Sequence, residues 1–217
     1  MPPAVPGQIV ATIQKFLTEI FQFVMDGDHN YFKHINQEWT NSWFDSFMPY
    51  ITDFRKAGLW ILLGLAIMIY KKRLKIIPIL IGCIIAVGLS DVFAARVVKP
   101  LVQRGRPEVT EKNVRLLVPS QKSYGFPSNH AANTFAAGFF LAAAYPSMGL
   151  IAIAIAIIVS YSRVYVGVHF PLDVIFGGLI GLIFAALVYQ FYVLYLSLID
   201  PIKEAPVEPK SWEKRKI

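Results

Sequence analysis

A single cysteine in 217 residues rules out an internal disulfide, and Cys83 lies inside an apolar run, so cysteine usage leaves the redox compartment open. No His, Cys or Asp spacing resembles a metal site, and no metal or other cofactor is expected. Charged residues make up only 16% of the chain, too few for an ordinary soluble surface. There is no internal repeat. The first residues, Met-Pro-Pro-Ala-Val-Pro-Gly, have neither a charged n-region nor an apolar h-region, so no cleaved signal is expected.

What the chain has instead is apolar sequence in long runs. Apolar residues make up 55% and the mean hydropathy is +0.50. That pattern predicts an all-α fold, a polytopic membrane helix bundle with about five transmembrane helices. The expected spans are residues 57–70, 76–95, 130–145, 150–161 and 172–198. Residues 9–25 put Ile9, Ile13, Phe16, Leu17, Ile20, Phe21 and Val24 on one helical face and polar residues on the other. Such a segment suits the membrane interface. Asp26-Gly27-Asp28 is expected to end it, with His29 and His34 solvated in the loop beyond. Residues 35–54 carry Trp39, Trp43, Phe44, Phe47 and Ile51 at helical spacing and read as a second interfacial anchor. Three parts follow: N-terminal amphipathic segments over 1–56, a membrane core over 57–198, and a flexible charged tail over 199–217. The net charge of +7 fits membrane flanks and an anionic substrate better than nucleic acid in so apolar a chain.

Three polar words interrupt the apolar runs between Lys99 and Asp173. The first is Lys99-Pro-Leu-Val-Gln-Arg-Gly-Arg106-Pro107, where two prolines predict a stiff, non-helical path. Arg106 is suited to fork onto phosphate oxygens, with Lys99 as a point charge. In the second, Pro127-Ser128-Asn129-His130, Ser128 reads as a helix N-cap, and a helix start attracts an anion. In the third, Ser162-Arg163 leads to His169-Phe-Pro-Leu-Asp173. Pro171 there suits the first turn of a new helix, and Asp173 can reach back to one ring nitrogen of His169. Singly, each word has a plainer reading: membrane-flank anchors, a capping serine, a structural histidine. Together they supply cations, two imidazoles and a carboxylate on one membrane face. Asp91 is expected to pair with a nearby cation, since it lies eight positions before Lys99 on a continuing helix. Gly177, Gly178 and Gly181 predict close helix packing behind His169.

These words resemble the three-part signature of the type 2 phosphatidic acid phosphatase superfamily: Lys99-x6-Arg106-Pro107, Pro127-Ser128-Asn129-His130 and Ser162-Arg163-x5-His169-x3-Asp173. The family usually has Gly where this chain has Asn129, whose amide could itself bind a phosphate oxygen. The resemblance implies roles for the residues. His169 would be the nucleophile, forming a phosphohistidine, with Asp173 orienting it and His130 protonating the leaving group. Lys99, Arg106, Ser128, Asn129 and Arg163 would hold the phosphate.

The function expected is metal-independent hydrolysis of a lipid phosphomonoester or diphosphate, such as undecaprenyl diphosphate, phosphatidylglycerophosphate, phosphatidic acid or lipid A. A phosphotransferase forming the same intermediate is the alternative. The expected partners are the bilayer and its lipid phosphate, with no nucleic acid and no obligatory protein. The basic turn at 71–75 and the basic tail place the opposite end, with all three words, outside a bacterial inner membrane, on the periplasmic face.

Overall fold

The computed structural model describes residues 6–53, 64, 66, 70 and 76–199. The expected first span, the basic turn at 71–75 and the charged tail lie outside the described residues, apart from those three single positions. Among the described residues there is helix and loop and no strand. The helices are α1 (Pro6–Lys33), α2 (Ser42–Thr52), α3 (Ile77–Phe93), α4 (Lys99–Val102), α5 (Pro107–Thr110), α6 (Asn129–Ala144), α7 (Pro146–Tyr165) and α8 (Pro171–Ile199).

Three described stretches are long and apolar enough to cross a membrane: Ile77–Thr110, Pro146–Tyr165 and Pro171–Ile199. The expected span at 130–145 is the 16-residue α6, about 24 Å of helix against a hydrocarbon core of about 30 Å. It packs against α8, α7 and α3 as the central helix of the bundle. Small residues let α8 approach it. A Cβ at Gly177 would strike the Ser128 carbonyl, and one at Gly181 would strike the Ala132 carbonyl. Behind them Ala86, Ala136, Phe140 and Ala185 form the apolar core.

Two expectations about the N-terminal part are corrected. The first helix does not stop at Asp26-Gly27-Asp28 but runs on to Lys33. Asp28 finds its acceptor roles in tertiary contacts and is 4% exposed, so it never acts as a local stop. The second helix is shorter than 35–54 and has a packing face as well as an outer one. Asn41 caps it by accepting from Phe44 N–H at 2.9 Å. Its Phe44, Phe47 and Ile51 pack on the Tyr165 cluster, while Trp39 and Trp43 face outward.

The turn at Ala94–Val98 is wider than an α-helix, and the Lys99 N–H donates to the Ala94 carbonyl five residues back. The helix therefore continues through Pro100 as far as Val102, where a non-helical path was expected, because the widened turn accommodates a residue without an N–H. The break comes at Gln103, whose φ is 52°.

Candidate active site

The three polar words converge at one end of the bundle. Lys99, Arg106, Ser128, Arg163, His169 and Asp173 are all under 9% exposed, and six polar side chains so deeply buried need partners. Ser128 caps α6, its Oγ accepting from Ala131 N–H at 3.5 Å. Its own N–H donates to the Asp173 carbonyl at 2.9 Å, which ties the start of α6 to the start of α8.

His169 sits in the short connection between α7 and α8. Gly167 turns that connection with a φ of 87°, where a Cβ would also meet the Arg115 carbonyl at 2.7 Å. Pro171 opens α8 and puts Asp173 in its first turn. Asp173 Oδ2 lies 3.3 Å from His169 Nδ1 and accepts from Phe170 N–H at 2.9 Å. On the other side of the ring, Arg106 Nη1 is 3.2 Å from His169 Nε2. A guanidinium has only donors, so Nε2 must accept and Nδ1 must carry the proton. Burial first, and then the charges of Arg106, Arg163 and Lys99, hold the His169 imidazole well below its ordinary pKa. A neutral imidazole with its lone pair on Nε2 is the form a nucleophile requires.

The cations are used unequally. Arg106, expected to fork onto phosphate, directs every one of its N–H groups at protein. Nε donates to Ser123 O at 2.7 Å, Nη1 to Val168 O at 2.9 Å and to His169, and Nη2 to Gln121 Oε1 and Ser123 Oγ. The loop from 111 to 127 is thus folded over this side chain. Lys99 Nζ donates to the Tyr124 and Pro127 carbonyls at 2.9 and 2.7 Å. Arg163 differs: Nη1 donates to Thr52 Oγ1 at 2.7 Å, while Nε and Nη2 are buried with no protein hydrogen-bond partner. Unsatisfied guanidinium donors inside a protein are costly and mark where an anion would be received.

His130, in the first turn of α6, is partly buried and close enough to Arg163, His169, Arg106 and Lys99 to feel their charges. Asn129 departs from expectation. Its side-chain nitrogen donates to Asp91 Oδ1 at 2.8 Å, as does that of Asn133 at 2.8 Å. Position 129 is ordinary helix, so the backbone there does not require glycine. Asp91 accordingly receives two amides and not the expected cation pair, while the Lys99 ammonium is taken up by the Tyr124 and Pro127 carbonyls.

Four participants were not singled out from the sequence. Arg104 bridges Asp173 and Asp28. Thr52 aims Arg163. Gly125 donates its N–H to Arg104 O at 2.8 Å, and a Cβ there would sit 3.2 Å from Asp173 Oδ2. His29, expected to be solvated, stacks on Phe170 at 4.6 Å and pairs with Glu111 at 2.7 Å. Only Arg104 carried a sequence signal, as a third cation in the first polar word.

Residues 76–195 match the PAP2 superfamily. The chain belongs to that family. Over 136 residues, this PAP2 chain is 35% identical to the undecaprenyl-diphosphatase of Sulfolobus acidocaldarius. That match covers 62% of this chain and 64% of the relative, somewhat under two thirds of its length. Over 109 residues it is 33% identical to the lipid A 4'-phosphatase of Bacteroides thetaiotaomicron, covering 45% and 48%. Among solved structures it resembles the PAP2-type phosphatidylglycerolphosphate phosphatase from Bacillus subtilis, with a TM-score of 0.59 and 26% identity over 84% of this chain and 94% of the other. With its apolar helices and membrane relatives, this PAP2 chain is an integral membrane protein.

Proposed function

We propose that this chain hydrolyses a phosphomonoester or diphosphate at the headgroup of a membrane lipid, through a phosphohistidine on His169. One observation carries the reading: a buried imidazole whose Nε2 accepts from Arg106 while Nδ1 faces Asp173, which fixes the nucleophilic tautomer in a nest of cations. The phosphoryl group enters against Arg163, whose idle Nε and Nη2 take its oxygens. Lys99 and the start of α6 add positive potential. Arg106 Nη1 passes from Nε2 to a phosphoryl oxygen as the lone pair turns to phosphorus. The P–O bond to the leaving group breaks as the N–P bond forms. His130 gives its proton to the departing oxygen and then takes one from the water that frees phosphate.

The relatives named above support a lipid phosphate as the substrate. A site at the end of several apolar helices also lets a substrate keep its tail in the bilayer. In this reading residues 1–56 lie at the interface, with the bare apolar residues of α1, such as Phe16, Leu17 and Phe21, in lipid. The site faces the outside of a cytoplasmic membrane. The chemistry proposed needs no metal.

The test is phosphate release by the purified protein in detergent from undecaprenyl diphosphate, phosphatidylglycerophosphate, phosphatidic acid and lipid A. Turnover of at least one, retained in EDTA, inhibited by vanadate and abolished by His169→Ala, is expected. Full turnover in His169→Ala, or a strict requirement for an added divalent ion, would overturn the proposal.

A further inference from the structure

The Asp173 carboxylate has two oxygens, and His169 uses one. The other, Oδ1, accepts from Arg104 Nη1 at 2.8 Å. The second arm of that guanidinium, Nη2, reaches Asp28 Oδ2 at 2.5 Å. Asp28 comes from α1, outside the residues that match the family, and its Oδ1 accepts the Leu172 N–H at 2.8 Å. That N–H belongs to the first turn of α8, where helix donors lack partners of their own. One aspartate therefore caps the helix that carries Asp173 and also holds the arginine that grips Asp173. The Arg104 guanidinium lies 4.2 Å over the Phe170 ring, and both aspartate side chains are fully buried. A planar fork between two carboxylates has little rotational freedom.

We infer that Arg104 and Asp28 are positioning residues for the nucleophile: together they fix the plane and the charge of Asp173, and through it the tautomer and aim of His169. This inference rests on the phosphohistidine reading. Arg104 stands in the first polar word, but nothing there marks its partner, because Asp28 comes from α1, remote in sequence. The arrangement carries alternating charge, Asp28 negative, Arg104 positive, Asp173 negative. The net field at His169 therefore depends on both outer members. Facing the same imidazole are Arg106, Arg163, Lys99 and His130, which the variants below leave in place.

The two ends of the chain make opposite predictions. Arg104→Met removes a positive charge behind Asp173, so His169 becomes easier to protonate. The acid limb of the pH–rate profile moves up by about half a unit or more. The turnover number falls about tenfold to a hundredfold as the ring loses its aim, with KM within about twofold. Asp28→Asn removes a negative charge, and the acid limb moves down by a similar amount. Arg104→Lys keeps the charge but cannot span both carboxylates. It restores the limb toward its original position with only part of the turnover.

The measurements are pH–rate profiles of phosphate release by full-length protein in detergent and, independent of turnover, 15N NMR of the His169 ring. Wild-type protein should show a protonated Nδ1 and a bare Nε2, and Arg104→Met should lose that single tautomer. Opposite limb shifts together with the tautomer change support the inference. If Arg104→Met does not fold, Asp28→Asn and Arg104→Lys carry the same test. Variants that fold with both the acid limb and the ring tautomer unmoved overturn it, whatever their loss of stability. If the wild type releases no phosphate from any lipid, the functional reading fails, and the NMR comparison still decides the positioning claim.

Discussion

Arg106 and His169 share one hydrogen bond, Nη1 to Nε2 at 3.2 Å, and its direction is fixed because arginine cannot accept. In the proposed reaction, the lone pair that attacks phosphorus is therefore capped at rest by the same kind of group that would greet a phosphate oxygen. The exchange of one acceptor for another leaves none of the Arg106 N–H groups without a partner, which keeps the energetic cost at that side chain low.

The pH dependence follows from the environment of His169. Burial and the surrounding cations hold its pKa well below the ordinary imidazole value. The ring therefore stays neutral, and reactive, as the pH falls through about 6.5. The acid limb of the pH–rate profile is expected below that value, and the proton-donor role proposed for His130 adds a second limb on the basic side. Stability moves with the same sign. Between the depressed value and about 6.5 the unfolded chain binds a proton that the folded chain refuses, so His169 lowers stability as pH drops. A profile that rises steadily with pH, measured by phosphate release, would contradict the pairing of the two histidines.

Thr52 is expected to act on phosphate affinity through Arg163. Replacing it by valine leaves Nη1 without its acceptor and lets the guanidinium drift, for a loss of about 1 kcal/mol, or three- to tenfold in vanadate affinity. Thr52→Ser retains the hydroxyl and recovers the binding. The measurement is the vanadate inhibition constant of each variant, and equal constants for Val and Ser would show that Thr52 does not aim Arg163.

Gly177 sets the distance between α8 and the start of α6. Even an alanine Cβ meets the Ser128 carbonyl, so Gly177→Ala should cost about 1–3 kcal/mol by overpacking. Because Ser128 N–H is bonded to the Asp173 carbonyl, the strain falls on the spacing between His130 and His169. Activity should drop more steeply than the melting temperature measured in detergent suggests. Unchanged turnover with a lowered melting point would place the strain elsewhere.

Asp91 and Asn129 should behave as a coupled pair. Asp91→Ala leaves two asparagine amides without their acceptor and is expected to destabilise by about 1–3 kcal/mol. Asn129→Gly removes one of those amides, so the double variant should be less destabilised than the sum of the singles. The coupling is expected in the range of about 0.5–3 kcal/mol from denaturation in detergent. Strict additivity would mean that the hydrogen bond contributes nothing.

Much of the site was legible because its residues sit at helix boundaries, where sequence is informative. Ser128 as a cap, Pro171 at the start of a helix and Asp173 in its first turn all follow from local rules, and the structure has them so. The three glycines of α8 likewise announced a close approach. What could not be read was anything that depends on a contact across the fold. Asp28 looked like a helix stop because its partners, Arg104 and Leu172 N–H, are remote in sequence. His29 looked solvated because Phe170 and Glu111 are equally distant. The expected pairing of Asp91 with a cation failed for the same reason: its amide partners, Asn129 and Asn133, and the carbonyls that hold Lys99 all come from later in the chain.

The grip of α1 and α2 on the candidate site has a practical corollary for anyone trimming this protein. A fragment beginning near residue 57 would retain every signature residue from Lys99 to Asp173 and would look intact to any motif scan. It would nevertheless lack Asp28, Asn36 and Thr52, the groups that steady Arg104, the Gly167 bend and Arg163. Such a piece would hold the right parts without the groups that aim two of its arginines.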